Sequence, residues 1–128
     1  DPLGANLDRI QMIKGWVDAD GISHEAIFDL AWSDDRGIEE DTRKLAPLGS
    51  TVDPQTATYT NDIGAAQLTA QWRDPHFDAK QEAFYYLRVL EIPTPRWSTY
   101  DALQLGIKPM APVAIQERAI SSAIWYQP

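Results

Sequence analysis

Two histidines, His24 and His76, are the first candidates for acid–base or metal chemistry in this sequence. Neither has a second histidine or a cysteine nearby, so no recognised metal-ligand spacing is present. Carboxylates lie close to both of them, Asp20 near His24 and Asp74 and Asp78 on either side of His76. Asp-Gly and Asp-Pro pairs are ordinary turn sequences, so the sequence favours turn residues over a carboxylate–imidazole site.

The sequence contains no recognised motif for nucleophilic catalysis or for nucleotide binding. The chain has no cysteine and contains no Gly-x-Ser-x-Gly, Walker or Gly-x-Gly-x-x-Gly motif. Catalysis by this chain alone would have to use carboxylates. The acidic pairs Asp34/Asp35 and Glu39/Glu40 lie in a polar stretch without an apolar pocket, which favours solvated surface charge. We therefore expect no catalytic residue, metal or cofactor in this chain.

The five tryptophans raise the alternative of a binding module that stacks a glycan or a small molecule. Four of them fall at alternating positions of apolar stretches, which indicates core packing. These four are Trp16, Trp32, Trp72 and Trp125. Trp97 differs because it follows Arg96 in a stiff Pro-Thr-Pro-Arg segment. The pair Arg96 and Trp97 suits an anion or a flat ligand, and packing of the two at a loop corner or against a neighbouring domain is equally favoured.

A second group of candidates is charged and lies on predicted strands. Arg88 and Glu91 are three residues apart, so they face opposite sides of a strand and at least one of them points toward a covered surface. Glu117 and Arg118 on the last predicted strand are candidate partners. The sequence favours an internal salt-bridge network, and an anion site shared with another domain is the functional alternative.

Composition limits the class of protein. The 128 residues form one domain, with 44% hydrophobic residues and a formal net charge of −8. A chain of this size folds around one core without disulfides or a metal, and its apolar content argues against disorder. No apolar run approaches the ~20 residues of a membrane span. The acidic charge excludes nucleic acid and anionic membrane surfaces as partners, because both would repel it.

The elements that position these residues are mostly strands. Alternating apolar residues on both sides of an Asp-Ala-Asp-Gly turn predict a β-hairpin over Arg9–Trp32. The charged stretch from Ser33 to Leu48 predicts a long loop. Short strands are predicted at Thr51–Asp53 and Thr56–Thr60, and a half-buried strand at Leu68–Trp72.

The second half of the chain is predicted to contain the central strand. Ala83–Ile92 is the most apolar run, and Pro93 is expected to end it. Ser98 begins a capping-box pattern that predicts a helix from Thr99 to about Leu105, with Gly106 as its C-cap. Gln116–Tyr126 is predicted as the final strand. About seven strands and one short helix indicate an antiparallel β-sandwich, immunoglobulin-like, with long loops.

The chain begins with Asp1-Pro2-Leu3-Gly4, without an initiator Met or a signal sequence, which favours a C-terminal fragment of a longer protein. The absence of cysteine fits both an exported, periplasmic location and a cytoplasmic one, so the compartment stays open.

Four segments together carry a family resemblance. They are Asn6–Gln11, Val17–Gly21, Ala83–Trp97 and Gln116–Ala119, the most specific being the run from Phe84 to Trp97. Over essentially all 128 residues the chain resembles the C-terminal region of a large bacterial family of uncharacterised proteins, catalogued as a domain of unknown function. The N-terminal part of such proteins resembles the polymerase and histidinol phosphatase (PHP) superfamily of metal-dependent hydrolases.

The resemblance implies an accessory domain. The divalent metals would lie in the N-terminal domain, which would be the partner of this chain, and none of their ligands matches a position here. The superfamily implies hydrolysis of phosphate or sulfate esters. Arg96, Trp97 or Arg118 would then reach the substrate pocket, and the segment Pro93–Ala114 is the one most expected to do so. A glycan or small-molecule binding module is the alternative function.

Overall fold

Five antiparallel strands form one sheet in the computed structural model, which describes residues 4–128. The strands are β1 (Leu7–Val17), β2 (Ser23–Trp32), β3 (Ala83–Pro95), β4 (Ala114–Ile120) and β5 (Ile124–Tyr126), and the helix α1 (Trp97–Leu105) lies between β3 and β4. The mostly β class, the short helix and the long loops predicted from the sequence are confirmed. The strands number five rather than seven.

The longest strand, β3, is also the central one. The order across the sheet is β2, β1, β3, β4, and β5 continues along the edge of β3 that β4 occupies. The predicted hairpin and the predicted central strand are confirmed. Pro93 does not end β3, however, because a register shift between Leu90 and Pro93 removes the need for a backbone donor at that position.

The predicted last strand is interrupted. β4 and β5 are separated by Ser121–Ala123, where the Ser121 hydroxyl accepts a hydrogen bond from the Leu87 backbone N–H at 3.0 Å. The hydroxyl takes the place of a backbone acceptor in the ladder, so the chain leaves the sheet edge for three residues and then returns to it.

The fifty residues between β2 and β3 contain no regular strand. The predicted strands Thr51–Asp53 and Thr56–Thr60 are wrong, since only a single bridge joins Asp53 to Thr58. The Asp53 carboxylate accepts from the Gln55 backbone N–H and from the Thr56 hydroxyl, at 2.8 and 2.9 Å. These local side-chain hydrogen bonds replace a ladder. Leu68–Trp72 is also not a strand, and Trp72, predicted to pack in the core, is half-buried.

The helix begins two residues earlier than predicted and without the predicted cap. Arg96 is the N-cap residue, and no side chain caps the first turn. The Ser98 hydroxyl is buried and has no hydrogen-bond partner among the described residues. Gly106 ends α1 in the left-handed conformation, at φ 65°, as the sequence predicts.

The strand register defines two faces of the sheet. One face, called the covered face, carries Met12, Lys14 and Trp16 of β1 with their cross-strand partners, among them Phe28 and Tyr85. Trp72 packs on both of those partners, with ring centroids 5.0 Å from Phe28 and 6.3 Å from Tyr85. The loop that precedes β3 therefore forms a layer over this face.

The opposite face, called the open face, is formed by the alternate residues of the same strands. Its members are Arg9, Gln11, Ile13, Gly15 and Val17 of β1; Ser23, Glu25, Ile27 and Asp29 of β2; Phe84, Tyr86, Arg88 and Leu90 of β3; Arg118 and Ile120 of β4; and Trp125 of β5. Side chains toward its edges are exposed, Ile27 by 48%, Ile120 by 61% and Trp125 by 73%, whereas Ile13 in its middle is 1% exposed. No second sheet packs on this face within residues 4–128.

The core is small for a chain of this length. Among the described residues, the large apolar side chains that are buried are Ile13, Leu45 and Ile92. A compact monomer of this mass exposes about 6,800 Å². This chain, of 14.4 kDa, exposes 9048 Å². The excess, about 2,200 Å² on the same scaling, shows that the sheet and its loops are less compact than a typical monomer of this mass.

Candidate functional site

A hydrogen-bonded row of side chains crosses three strands on the open face. Gln11 of β1 lies opposite Asp29 of β2 and Arg88 of β3. The Gln11 amide group donates to Asp29 Oδ1 at 2.7 Å, and Gln11 Oε1 accepts from Arg88 Nε at 2.9 Å. Gln11 is buried, so the row holds the Arg88 guanidinium group against a fixed partner.

Arg88 keeps the other edge of its guanidinium group free. Its two terminal nitrogens make no hydrogen bond to the described residues, and Arg88 forms no ion pair with them. The side chain is half-buried. The free edge carries the paired N–H groups that bind carboxylate, phosphate or sulfate oxygens end-on.

Two more arginines lie in the next row of the open face. Arg9 of β1 and Arg118 of β4 are both opposite Leu90 of β3, one on each side. Arg88 is two residues from Leu90 on the same face, so Arg88 and Arg118 are diagonal neighbours, about 7–8 Å apart at Cα for such pairs. Arg118 is exposed and, among residues 4–128, has no ion-pair partner.

A buried carboxylate anchors the edge of this cluster. Asp8 is fully buried and accepts hydrogen bonds from Arg36 at 2.6 Å, from Gln116 at 2.7 Å and from Arg9 at 3.1 Å. Arg9 also lies 3.8 Å from Asp29. Asp8 is a bulge residue, since the β1–β3 register shifts between Leu7 and Arg9.

The charges in this region do not cancel. Four arginines (Arg9, Arg36, Arg88 and Arg118) and two aspartates (Asp8 and Asp29) leave a surplus of two positive charges, in a chain whose net charge is −8. The two aspartates are engaged by Arg9, Arg36, Gln11 and Gln116. The surplus therefore lies on Arg88 and Arg118.

The other end of the open face is apolar and acidic. A hollow of about 510 Å³ lies over Gly15, between the hairpin end of β1 and β5. Phe84 and Trp125 line it, with ring centroids 5.3 Å apart, and Glu25 and Glu82 stand at it as carboxylates. The Phe84 ring lies over Gly15 so closely that a Cβ there would be 2.2 Å from it. The prediction that Trp125 is a core residue is therefore wrong. Trp125 is part of an exposed aromatic surface.

The predicted pair Arg96 and Trp97 lies elsewhere, at the start of α1. The Arg96 backbone N–H donates to the Val113 carbonyl at 3.0 Å, which closes the segment between β3 and β4 at its base. The Arg96 guanidinium carbon lies 5.9 Å from the Trp97 ring centroid, and Trp97 is 66% exposed. Near this corner, Leu103, Ile107 and neighbouring residues line a second hollow of about 390 Å³.

The five candidate residues from the sequence therefore separate into two places. Arg88 and Arg118 share the open face, whereas Arg96 and Trp97 belong to the α1 corner. Glu117 is exposed and precedes Arg118, so it faces the other side of β4. No ion pair joins Arg88, Glu91, Glu117 or Arg118 within the described part of the chain, so the internal network predicted for them does not form.

Sequence reasoning missed the residues that hold Arg88 in place. Gln11 interrupts the apolar run of β1, and a polar residue at a predicted buried position was the available signal. Asp8 and Arg36 gave no such signal, because Arg36 lies in a turn 28 residues from its partner.

A second polar cluster closes the covered face. The Lys14 ammonium group donates to Asp74 at 2.6 Å and to the His76 carbonyl at 2.9 Å, and the Tyr85 hydroxyl donates to Asp74 at 2.8 Å. Desolvation acts to raise the pKa of Asp74, but the hydrogen bonds from Lys14, the His76 N–H and Tyr85 outweigh it and lower this pKa. Burial, together with the nearby Asp74 carboxylate, raises the pKa of Tyr85 to about 12.

The histidines take part in turns. His24 Nε2 lies 2.6 Å from Asp18, not Asp20, and the hydrogen bond from His24 is the main cause that lowers the pKa of Asp18. The His76 backbone N–H is bound by Asp74. Within residues 4–128 no three His, Asp or Glu side chains are grouped as metal ligands. The helix found there is too short and too polar to span a membrane.

Comparison with known proteins gives one match. The family model described as "Protein of unknown function (DUF3604)" matches residues 1–128. No curated protein and no solved structure matches the chain. Because the match covers every residue, the chain belongs to this family of unknown function.

Proposed function

We propose that this DUF3604 chain is a non-catalytic accessory β domain whose open face packs on another domain of the same protein. The single observation that carries the proposal is the state of that face. Ile120 is 61% exposed, Trp125 73% and Ile27 about half, and on the same face Arg88 and Arg118 have no ion-pair partner in the described chain. Arginines without an ion-pair partner on a face that also exposes apolar side chains are typical of an interface.

The exposed area supports the same proposal. The excess of about 2,200 Å² over a compact monomer exceeds the roughly 800 Å² that each partner buries in a standard interface. The chain therefore exposes enough surface for a neighbouring domain to cover. In this arrangement the second layer of the β-sandwich predicted from the sequence comes from outside residues 4–128.

For the neighbouring domain, we propose a metal-dependent hydrolase of the PHP type that acts on phosphate or sulfate esters. The support is the sequence resemblance described above and is an argument by analogy. Arg88 and Arg118 on the open face, and Arg96 and Trp97 at the α1 corner, are the residues of this chain proposed to face that neighbour or its substrate. The metal would belong to the neighbour.

Docking is tested by Ile27→Asp in the longer parent protein, with Ile38→Asp as its control. Both isoleucines are about half exposed, 48% and 46%, but Ile38 lies in the loop after β2. We expect Ile27→Asp to split the thermal unfolding of the parent into two transitions and to expose the interdomain segment to protease. Ile38→Asp should leave one transition. Identical behaviour of the two variants would refute docking through the open face.

The non-catalytic role has its own test. Hydrolysis of aryl phosphate and aryl sulfate esters, with added divalent metal, is measured for the parent, for the 128-residue chain and for the Arg96→Ala parent. We expect turnover by the parent only, and a lower rate for Arg96→Ala at unchanged stability. Turnover by the 128-residue chain would reject the accessory role.

A glycan or small-molecule binding module is the second candidate. The observation in its favour is helix α1, where Trp97 is 66% and Tyr100 42% exposed and Leu103 of the same helix lines an apolar hollow. Aromatic faces of this kind stack on flat or ring-shaped ligands. Affinity electrophoresis in gels that contain soluble polysaccharides tests it: retardation lost in Trp97→Ala but kept in Trp125→Ala supports the module, and equal mobility in all gels rejects it.

A further inference from the structure

We propose that Arg88 and Arg118 form a binding site for a tetrahedral oxyanion, the phosphate or sulfate group of a small ligand, on the open face. The proposal concerns the 128-residue chain by itself and stands whether or not that face docks on another domain. It goes beyond an interface role because it assigns a ligand class to two named side chains.

The first step of the argument is the orientation of Arg88. Its Nε is bound to Gln11 at 2.9 Å, and Gln11 is bound in turn to Asp29 at 2.7 Å. These bonds use the inner edge of the guanidinium group and leave the terminal edge without a described partner. A pre-oriented fork loses less conformational entropy on binding than a free arginine does.

The second step is the number of oxygens that the site can engage. The terminal edge of Arg88 binds two oxygens of one anion in parallel. Arg118 lies diagonally across from Arg88 on the same face, within reach for long side chains. A carboxylate has only two oxygens, which Arg88 would occupy, whereas a tetrahedral oxyanion offers further oxygens to Arg118. The geometry therefore favours phosphate or sulfate.

The third step is electrostatic. The local surplus of two positive charges contrasts with a chain whose net charge is −8, so the arginine pair is a localised positive site. Asp29, already counted in that surplus, is bound by Gln11, and the other acidic residues near this face, Glu25 and Glu82, lie at its opposite end. Gly15 is four residues from Gln11 along β1, roughly 13 Å along the strand. At physiological salt most of their repulsion is screened over that distance.

Calorimetric titration of the 128-residue chain with inorganic phosphate and with sulfate, at constant ionic strength balanced with NaCl, tests the proposal. We expect saturable binding with one anion per chain. Each charge-assisted hydrogen bond is worth enough that Arg118→Gln should weaken binding about tenfold. Arg88→Lys keeps the charge but removes the fork, and it should weaken binding by a similar factor.

Controls separate a specific site from general charge screening. Arg73→Gln removes an exposed arginine outside the open face and should leave the affinity unchanged. Acetate should bind at least tenfold more weakly than phosphate. Equal binding of acetate would make the site a carboxylate site. An equal loss of affinity in Arg73→Gln, or phosphate binding that is still not saturated when phosphate has diluted the NaCl 100-fold, would mean nonspecific association. Each of these results overturns the proposal.

Arg118 is exposed, so its replacement leaves folding intact and keeps the test decisive even if the Arg88 variant is destabilised. The thermal midpoint of each variant without anion provides the check. In the unaltered chain the midpoint should rise with phosphate concentration, because a ligand that binds only the folded state stabilises it.

Discussion

The two faces of the sheet use the same strands and treat charge in opposite ways. On the covered face, Lys14 and Asp74 are 4% and 6% exposed and bind each other, and Tyr85 completes the cluster. On the open face, Arg88 is held by a neutral amide and Arg118 by no described side chain. Lys14 follows Ile13 directly in β1 and so lies on the other face of the sheet. This step of one residue separates a closed structural ion pair from arginines that are available for a partner.

The difference teaches which charges stabilise this fold and which are free for function. A buried ion pair contributes mainly by not being broken. A guanidinium group with one edge fixed and one edge free contributes little to stability and keeps its capacity to bind. The predictions below follow this distinction, from the largest expected effect to the smallest.

Removal of Asp74 should have the largest effect. Asp74→Ala leaves the buried Lys14 ammonium group without its carboxylate, and we expect a loss of about 3–5 kcal/mol in the free energy of unfolding, measured by urea denaturation. The double variant Lys14→Met/Asp74→Leu should recover at least half of that loss, because it removes both buried charges. A single variant within 1 kcal/mol of the unaltered chain, a figure typical of exposed pairs, would mean that the pair is not buried in solution.

Gly15→Ala should cost less, about 1–3 kcal/mol, because the new methyl group meets the Phe84 ring at 2.2 Å and the ring must move. Gly37→Ala is the control, since nothing lies within 4 Å of its Cβ position. In a Phe84→Ala background the cost of Gly15→Ala should disappear. An equal cost in both backgrounds would show that the ring does not lie over the strand.

The Asp74–Tyr85 contact predicts an alkaline loss of stability. A folded-state pKa of about 12 exceeds the ordinary value near 10. The stabilising contribution of Tyr85 is therefore complete below about pH 10 and is lost as the pH rises toward 12. Tyr85→Phe should remove this part of the pH dependence. The measurement is the urea midpoint between pH 9 and 12; parallel curves for the two proteins would contradict the contact.

The acid side carries the opposite sign. The pKa of Asp74 is lowered in the folded chain, so its contribution is present above its ordinary value near 4 and is lost as the pH falls through the folded value. Because the hydrogen bond from Lys14 is the main cause that lowers this pKa, Lys14→Met should lose less free energy of unfolding between pH 6 and pH 3 than Lys80→Met, which replaces an exposed lysine. Equal acid losses in the two variants would place Asp74 in solvent.

The smallest effect is expected at the α1 corner. Trp97 is 66% exposed, so Trp97→Ala should change the free energy of unfolding by no more than about 0.5 kcal/mol. Two variants, one without Trp97 and one without Trp72, are compared by acrylamide quenching of their tryptophan fluorescence. Removal of Trp97 should lower the quenching more than removal of Trp72 does. A large loss of stability would show that this corner is part of the core.

Local patterns were sufficient for the hairpin and the central strand. Arg9–Trp32 has alternating apolar residues around an Asp-Gly turn, and Ala83–Ile92 is apolar or aromatic apart from Arg88 and Glu91, so local and tertiary preferences agree. Local patterns failed at Thr51–Thr60, where Thr and Asp side chains make their own hydrogen bonds. They also failed at Ser98, where the capping pattern is present but the helix begins two residues before the predicted start at Thr99.

The candidate site was predicted in part. Arg88 and Arg118 were identified as charged residues on strands, but their adjacency depends on the register between β3 and β4, which pairs Arg118 with Leu90. Register over 25 or more residues of intervening chain is set by the packing of the whole sheet. Gln11, which orients Arg88, is a polar residue in an apolar run. Only the pairing of β1 with β3 shows that its role is to bind Arg88.

The sequence by itself determined the class of the fold, the hairpin, the central strand, the helix end at Gly106 and the acidic net charge, because each depends on residues close along the chain or on composition alone. Tertiary structure decided which face is covered, that Lys14 meets Asp74 sixty residues away, and that two arginines share the open face. Those outcomes depend on contacts between distant segments, where one residue of register moves a side chain from one face of the sheet to the other.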